Sequence, residues 1–140
     1  MNKIEVMNKI IEYFSHKPNS IKIIDSNPRK PYFSISKNGK TKFFVISETG
    51  IENTKHPDIV WVGISSNIQE RIDIERTFVI TIDYANNETL ILFPVNSQEN
   101  LRPNYQGQLM FDVKRSQNYG SQSFKADDIE NLIKKIEDII

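Results

Sequence analysis

Apolar and polar residues alternate most regularly over residues 77–94, TFVITIDYANNETLILFP. In the first half Phe78, Ile80 and Ile82 interleave with Thr77, Val79, Thr81 and Asp83, a period of two rich in β-branched residues. Residues 88–93 form a second such run, and Asn86-Asn87 between them suits the positive φ of a two-residue hairpin turn. That turn aligns Ile82 with Ile91 and Ile80 with Phe93. One face then carries Phe78, Ile80, Ile82, Ile91 and Phe93. The other carries Val79, Thr81, Leu90 and Leu92, which is apolar enough to need a cover of its own. A hairpin buried on both faces belongs at the centre of a sheet, and Pro94 stops its second strand because proline cannot donate to the ladder.

The same patterning places the other elements. Ile4, Met7, Ile11 and Phe14 recur at helical spacing, with Val6 and Ile10 widening the stripe, so residues 2–14 predict an amphipathic helix. His16, Lys17 and Pro18 end it. Residues 22–25 (KIID) suit a short edge strand, and residues 26–31 (SNPRKP) a connector. Residues 32–47 predict a second hairpin around Asn38-Gly39, the strongest short hairpin signal, which sets Phe33 opposite Phe44, Tyr32 opposite Val45 and Lys37 opposite Lys40. Residues 49–58 read as a loop, 59–65 (IVWVGIS) as an apolar strand, and 66–76 as a short helix or a linker. A polar loop over 95–106, a strand over 108–114 and a polar segment over 115–123 follow. Residues 126–140 predict a closing helix with Ile129, Leu132, Ile133, Ile136 and Ile140 on one face and Asp127, Asp128 and Glu130 in its first turn.

The order predicts an α+β domain: a mainly antiparallel sheet of five to seven strands with N- and C-terminal amphipathic helices packed on one face, in two layers. Ile80, Ile82, Ile91 and Phe93 are expected to meet Ile129, Leu132, Ile133 and Ile136. At 140 residues the chain suits a single domain spanning 1–140. It has no cysteine, which excludes disulfides, zinc thiolate sites and cysteine nucleophiles. No apolar run approaches the roughly 18 residues of a membrane span, so the expectation is a cytoplasmic protein without a membrane partner.

Charge is where a function first shows. Eighteen basic and eighteen acidic residues cancel, which argues against a protein that coats nucleic acid through bulk charge. The distribution is uneven, however. Residues 22–42 hold Lys22, Arg29, Lys30, Lys37, Lys40 and Lys42 against Asp25 alone, with Tyr32, Phe33, Phe43 and Phe44 interleaved. Cations beside rings suit phosphate contacts and base stacking. The leading expectation is therefore a small non-enzymatic binding module that contacts a nucleic-acid backbone through Arg29, Lys30, Lys37, Lys40 and Lys42. The acidic stretch 48–75 makes the chain locally bipolar, which suits a protein partner too; a protein-docking factor of the immunity or anti-defence type is the alternative.

A second alternative rests on Asp112-Val113-Lys114. A strand ending in acid-x-Lys resembles the (D/E)xK element of the PD-(D/E)xK nuclease superfamily. That resemblance implies an acid pair holding Mg²⁺ and a lysine stabilising the attacking hydroxide or the phosphate. Asp83 would supply the second carboxylate, Asp112 and Lys114 the rest, and a helix acid such as Glu5 or Glu12 would complete the set. His16 and His56 are the only histidines, so no transition-metal site is expected, and no cofactor outside the Mg²⁺ of the nuclease alternative.

Overall fold

The computed structural model describes residues 1–18, 20–27, 31–49, 56–97, 102–103, 107–116 and 120–140. Two sheets and two long helices make three layers. The larger sheet runs β1 (Ile21–Asn27), β2 (Tyr32–Lys37), β3 (Lys40–Thr49), β5 (Thr77–Asp83), β6 (Thr89–Pro94) and β9 (Phe124–Ala126). The smaller has the order β4 (Ile59–Ile64), β8 (Leu109–Lys114), β7 (Arg102–Pro103). Within the larger sheet only the β3–β5 seam is parallel. The fold is thus α+β with a mostly antiparallel six-stranded sheet and a helix near each end. No helix among the described residues is long and apolar enough to cross a membrane.

Helix α1 (Lys3–Ser15) starts where the Asn2 side chain accepts from the Glu5 backbone N–H at 3.0 Å, and Val6, Met7, Ile10 and Phe14 are its buried residues. Ile4 and Ile11, expected inside the stripe, are only half-buried, so the inward face is rotated slightly. Helix α3 (Ile129–Ile139) buries Ile129, Leu132, Ile133, Ile136 and Ile139. Asp128 is its N-cap, accepting from the Asn131 N–H at 2.8 Å, so the helix begins three residues later than the pattern suggested. Residues 124–126 go instead to β9, which pairs with β6. Both helices pack on the sheet face made by Phe33, Ile35, Phe44, Ile46, Phe78, Ile80, Ile82, Leu90 and Leu92. Phe33, Phe44 and Phe78 stack across three adjacent strands, with ring centres 5.2 and 5.5 Å apart.

The Asn38-Gly39 hairpin holds the expected register, with φ of 53° and 77° at the two turn residues. The β5–β6 hairpin does not. Its loop takes in Tyr84–Asn86 as a 3₁₀ turn, then Asn87 and Glu88 at φ of 53° and 58°. Ile82 therefore pairs with Leu90 and Ile80 with Leu92. A slip of one residue turns a whole strand over. Leu90 and Leu92 face the helices, while Ile91 and Phe93, expected there, face away.

Ile91 and Phe93 face the smaller sheet. Residues 59–64 and 109–114 do not extend the larger sheet; they form the smaller one, and the arrangement has three layers rather than two. Tyr32, Val45, Val79, Ile91 and Phe93 pack there against Val60, Val62, Ile64 and Val113, with Ile68 of the short helix α2 (Ser66–Gln69). The second cover that β5 and β6 need is thus a sheet. A 3₁₀ turn, Ile74–Arg76, leads into β5.

Thr81 lies wholly buried in β5, and its Oγ1 has no hydrogen-bond partner among the described residues. Two other buried hydroxyls are bonded: Ser34 Oγ donates to the Ile24 carbonyl and Thr77 Oγ1 to that of Asp73, both at 2.6 Å. An unpaired buried hydroxyl costs about 1–3 kcal/mol. Thr81→Val keeps the shape and removes the cost, so urea unfolding is expected to show a gain of about 1 kcal/mol. A loss of stability would mean that the hydroxyl is bonded after all.

Candidate functional site

The basic residues gather at one end of the larger sheet because of how its strands are registered. Lys37 pairs with Lys40 across the β2–β3 turn, and Ile35 pairs with Lys42. Directly opposed residues share a face, so Lys37, Lys40 and Lys42 lie on the helix side with Ile35 and Phe44. The parallel seam begins at Phe43 opposite Thr77. The residue before each is therefore brought alongside the other, and Arg76 joins Lys42. Lys40, Lys42, Arg76, Glu75, Phe78 and Gln122 line a hollow of about 450 Å³.

The cations in it are not equivalent. Lys40 is exposed. Arg76, 62% exposed, makes an ion pair with Asp73 at 3.4 Å. Lys42 is half-buried, its Nζ donating to the Ile139 carbonyl at the C-terminal end of α3, 5.9 Å from the centre of the Phe78 ring. The negative end of a helix favours a cation there, while burial, and then Lys40, pulls the Lys42 ammonium below its ordinary pKa. Lys42 therefore anchors a helix as well as lining the hollow. One of its three donors is used in that bond.

Across the β2–β3 tip a second hollow of about 420 Å³ is lined by Ser20, Lys22, Ser36, Asn38 and Gly39. Ile21 and Ile23 pack into the helix-side core, so Lys22 between them faces the opposite side of the sheet. Arg29 and Lys30, the other two expected contacts, lie outside the described residues. No protein-family model matches the chain, and no curated protein matches it.

The residues of the nuclease reading are not brought together. Asp83 is 0% exposed and points between the two sheets, with the Arg115 side chain on both of its oxygens, Nε at 2.5 Å and a terminal nitrogen at 2.9 Å. Arg115 also donates a side-chain hydrogen bond to the Pro57 carbonyl and its backbone N–H to the Asp58 carbonyl at 2.8 Å. Asp112 lies in β8 opposite Trp61. Its neighbour Val113 is buried against the larger sheet, so Asp112 and Lys114 face the outer side of the smaller one. The smaller sheet therefore separates Asp112 from Asp83. Glu5 and Glu12 are on α1, beyond the larger sheet. Among the described residues no group of three His, Cys, Asp or Glu could hold a metal ion.

Asp83, Arg115 and their neighbours form a latch between the layers. The exposed Asp58 carboxylate accepts from the Ser116 N–H at 3.0 Å and its hydroxyl at 2.5 Å. The hydroxyl bond foremost holds Asp58 below the ordinary carboxylate pKa. Sequence patterning missed Arg76, Gln122 and Arg115. The one available signal was Asp83 itself, an acid closing an all-apolar strand, which demands a cation once buried.

Proposed function

We propose that this protein is a non-enzymatic binding module that holds the phosphate backbone of a nucleic acid at the basic end of its larger sheet. The observation that carries the reading is the convergence of Lys37, Lys40, Lys42 and Arg76 from neighbouring segments of the sheet, within a chain whose total charge is zero. Phosphate recognition needs only positioned cations and hydrogen-bond donors, and this end offers both, whereas the acids of the alternative chemistry are divided between layers. Glu75 on the hollow's wall and Asp73 beside Arg76 offset part of this positive charge.

Neutralising Lys37 and Lys40 together with glutamine is expected to weaken DNA or RNA binding similarly across sequences. It should lower the salt slope by about 0.7–0.9 for each phosphate that is no longer neutralised. Stability should hold or rise by some tenths of a kcal/mol, because two like charges no longer face each other across the ladder. Binding isotherms at several salt concentrations test this. No binding at low salt, or a slope untouched by the double change, removes the reading. Protein docking would then lead, favoured by Trp61, which is 46% exposed on the outer side of the smaller sheet, tryptophan being a frequent anchor at interfaces.

A further inference from the structure

We infer that the nucleic acid held here is single-stranded and crosses the β2–β3 tip with phosphates on both sides of it, an inference that rests on the backbone-binding reading above. Gly39 lines both hollows, so the tip is the ridge between them. Lys40 and Lys42 look onto the helix side and the exposed Lys22 onto the other, where Ser20, Ser36 and Asn38 add donors. Lys22 on β1 and Lys40 and Lys42 on β3 therefore flank the tip from opposite faces, only two strand spacings apart.

That width decides between the forms of nucleic acid. Neighbouring strands lie about 4.8 Å apart, whereas a duplex stays stiff over about 50 nm. A duplex laid on this end reaches the cations of one side and leaves Lys22 unused. A single strand can bend at each nucleotide, so it can set one phosphate by Lys40 and Lys42 and another by Lys22. Hollows of about 450 and 420 Å³ sit near the lower end of the roughly 300–1,000 Å³ of small-molecule sites. Each therefore suits a nucleotide rather than a helix. Nothing lies within 4 Å of where a Gly39 Cβ would stand, so the path over the ridge is open.

The test is fluorescence anisotropy with a labelled single strand of about 16 nucleotides and the duplex of the same sequence, in DNA and RNA, at low and moderate salt. The single strand is expected to bind about tenfold tighter or more. Lys22→Gln should weaken single-strand binding several-fold and reduce its salt slope by about 0.7, leaving duplex binding unchanged. Lys9→Gln on α1 is the charge control and should change neither, and circular dichroism confirms that each variant is folded. A duplex bound as tightly as the single strand, or a single-strand slope unmoved by Lys22→Gln, overturns this inference while the backbone-binding reading stands. Binding of a poly-glutamate peptide as tightly as the oligonucleotide overturns it as well. Failure of every nucleic acid to bind at low salt overturns both.

Discussion

Replacing Ile82 or Leu132 with alanine is expected to destabilise the protein by about 2–5 kcal/mol in urea unfolding. Both are fully buried in the layer between the larger sheet and the helices, where removed methyl groups leave a cavity that close-packed neighbours fill only in part. A loss below about 0.5 kcal/mol, typical of surface changes, would mean that the layer is assigned to the wrong face. The register of β6 can be tested in the same series. Leu92 shares that layer with Ile136, whereas Ile91 lies in the other layer. Leu92→Ala combined with Ile136→Ala should therefore depart from additivity by about 0.5 kcal/mol or more, and Ile91→Ala with Ile136→Ala should simply add.

Arg115→Met is expected to cost about 3–5 kcal/mol, because it leaves the Asp83 carboxylate buried with no opposite charge. Asp83 is completely enclosed and Arg115 is 19% exposed, so the loss falls mainly on the acid. Removing both charges, as Asp83→Leu with Arg115→Met, should recover most of the loss, since a well-packed apolar pair is often as stable as a buried ion pair. Denaturant midpoints of the two single variants and the double one give the coupling directly. A double variant no more stable than Arg115→Met would assign the loss to the Pro57 and Asp58 hydrogen bonds rather than to the pair.

How much of this was legible depends on which residues carried the information. Asn38-Gly39 needs positive φ at two successive positions, and those residue types adopt it readily, so that hairpin could be read to the residue. In the β5–β6 loop Glu88 also sits at positive φ. Nothing about a glutamate announces that, and Asn86-Asn87 pointed to a shorter turn. The run IVWVGI is apolar enough for a strand of either sheet, and only the finished packing assigns it to the smaller one. The three residues of β9 are too few to show a period. At the basic end, Lys37 and Lys40 were found because the hairpin register was. Arg76 was missed because its place depends on the parallel pairing of β3 with β5, two strands joined by a long crossover rather than by a turn that the sequence could announce. The sequence marks Lys42 only as a backbone contact, because its link to Ile139 depends on where a distant helix ends.

The separation of β4 from its partner has a consequence during synthesis. Ile59 of β4 pairs with Lys114 of β8, and Ile64 with Leu109, so the apolar strand is made long before the one that pairs with it. Until then a nascent chain carries a hydrophobic segment containing Trp61 and no charge, with its ladder groups unsatisfied by any strand of its own sheet. Such segments are where partly made chains stick to one another. The hairpins of the larger sheet close locally and early, but the smaller sheet depends on distant contacts that form slowly. The face that β4 later shields, around Val79, Ile91 and Phe93, is exposed over the same interval. The order of translation thus makes the smaller sheet, rather than the helix layer, the part of this fold with most to gain from a chaperone.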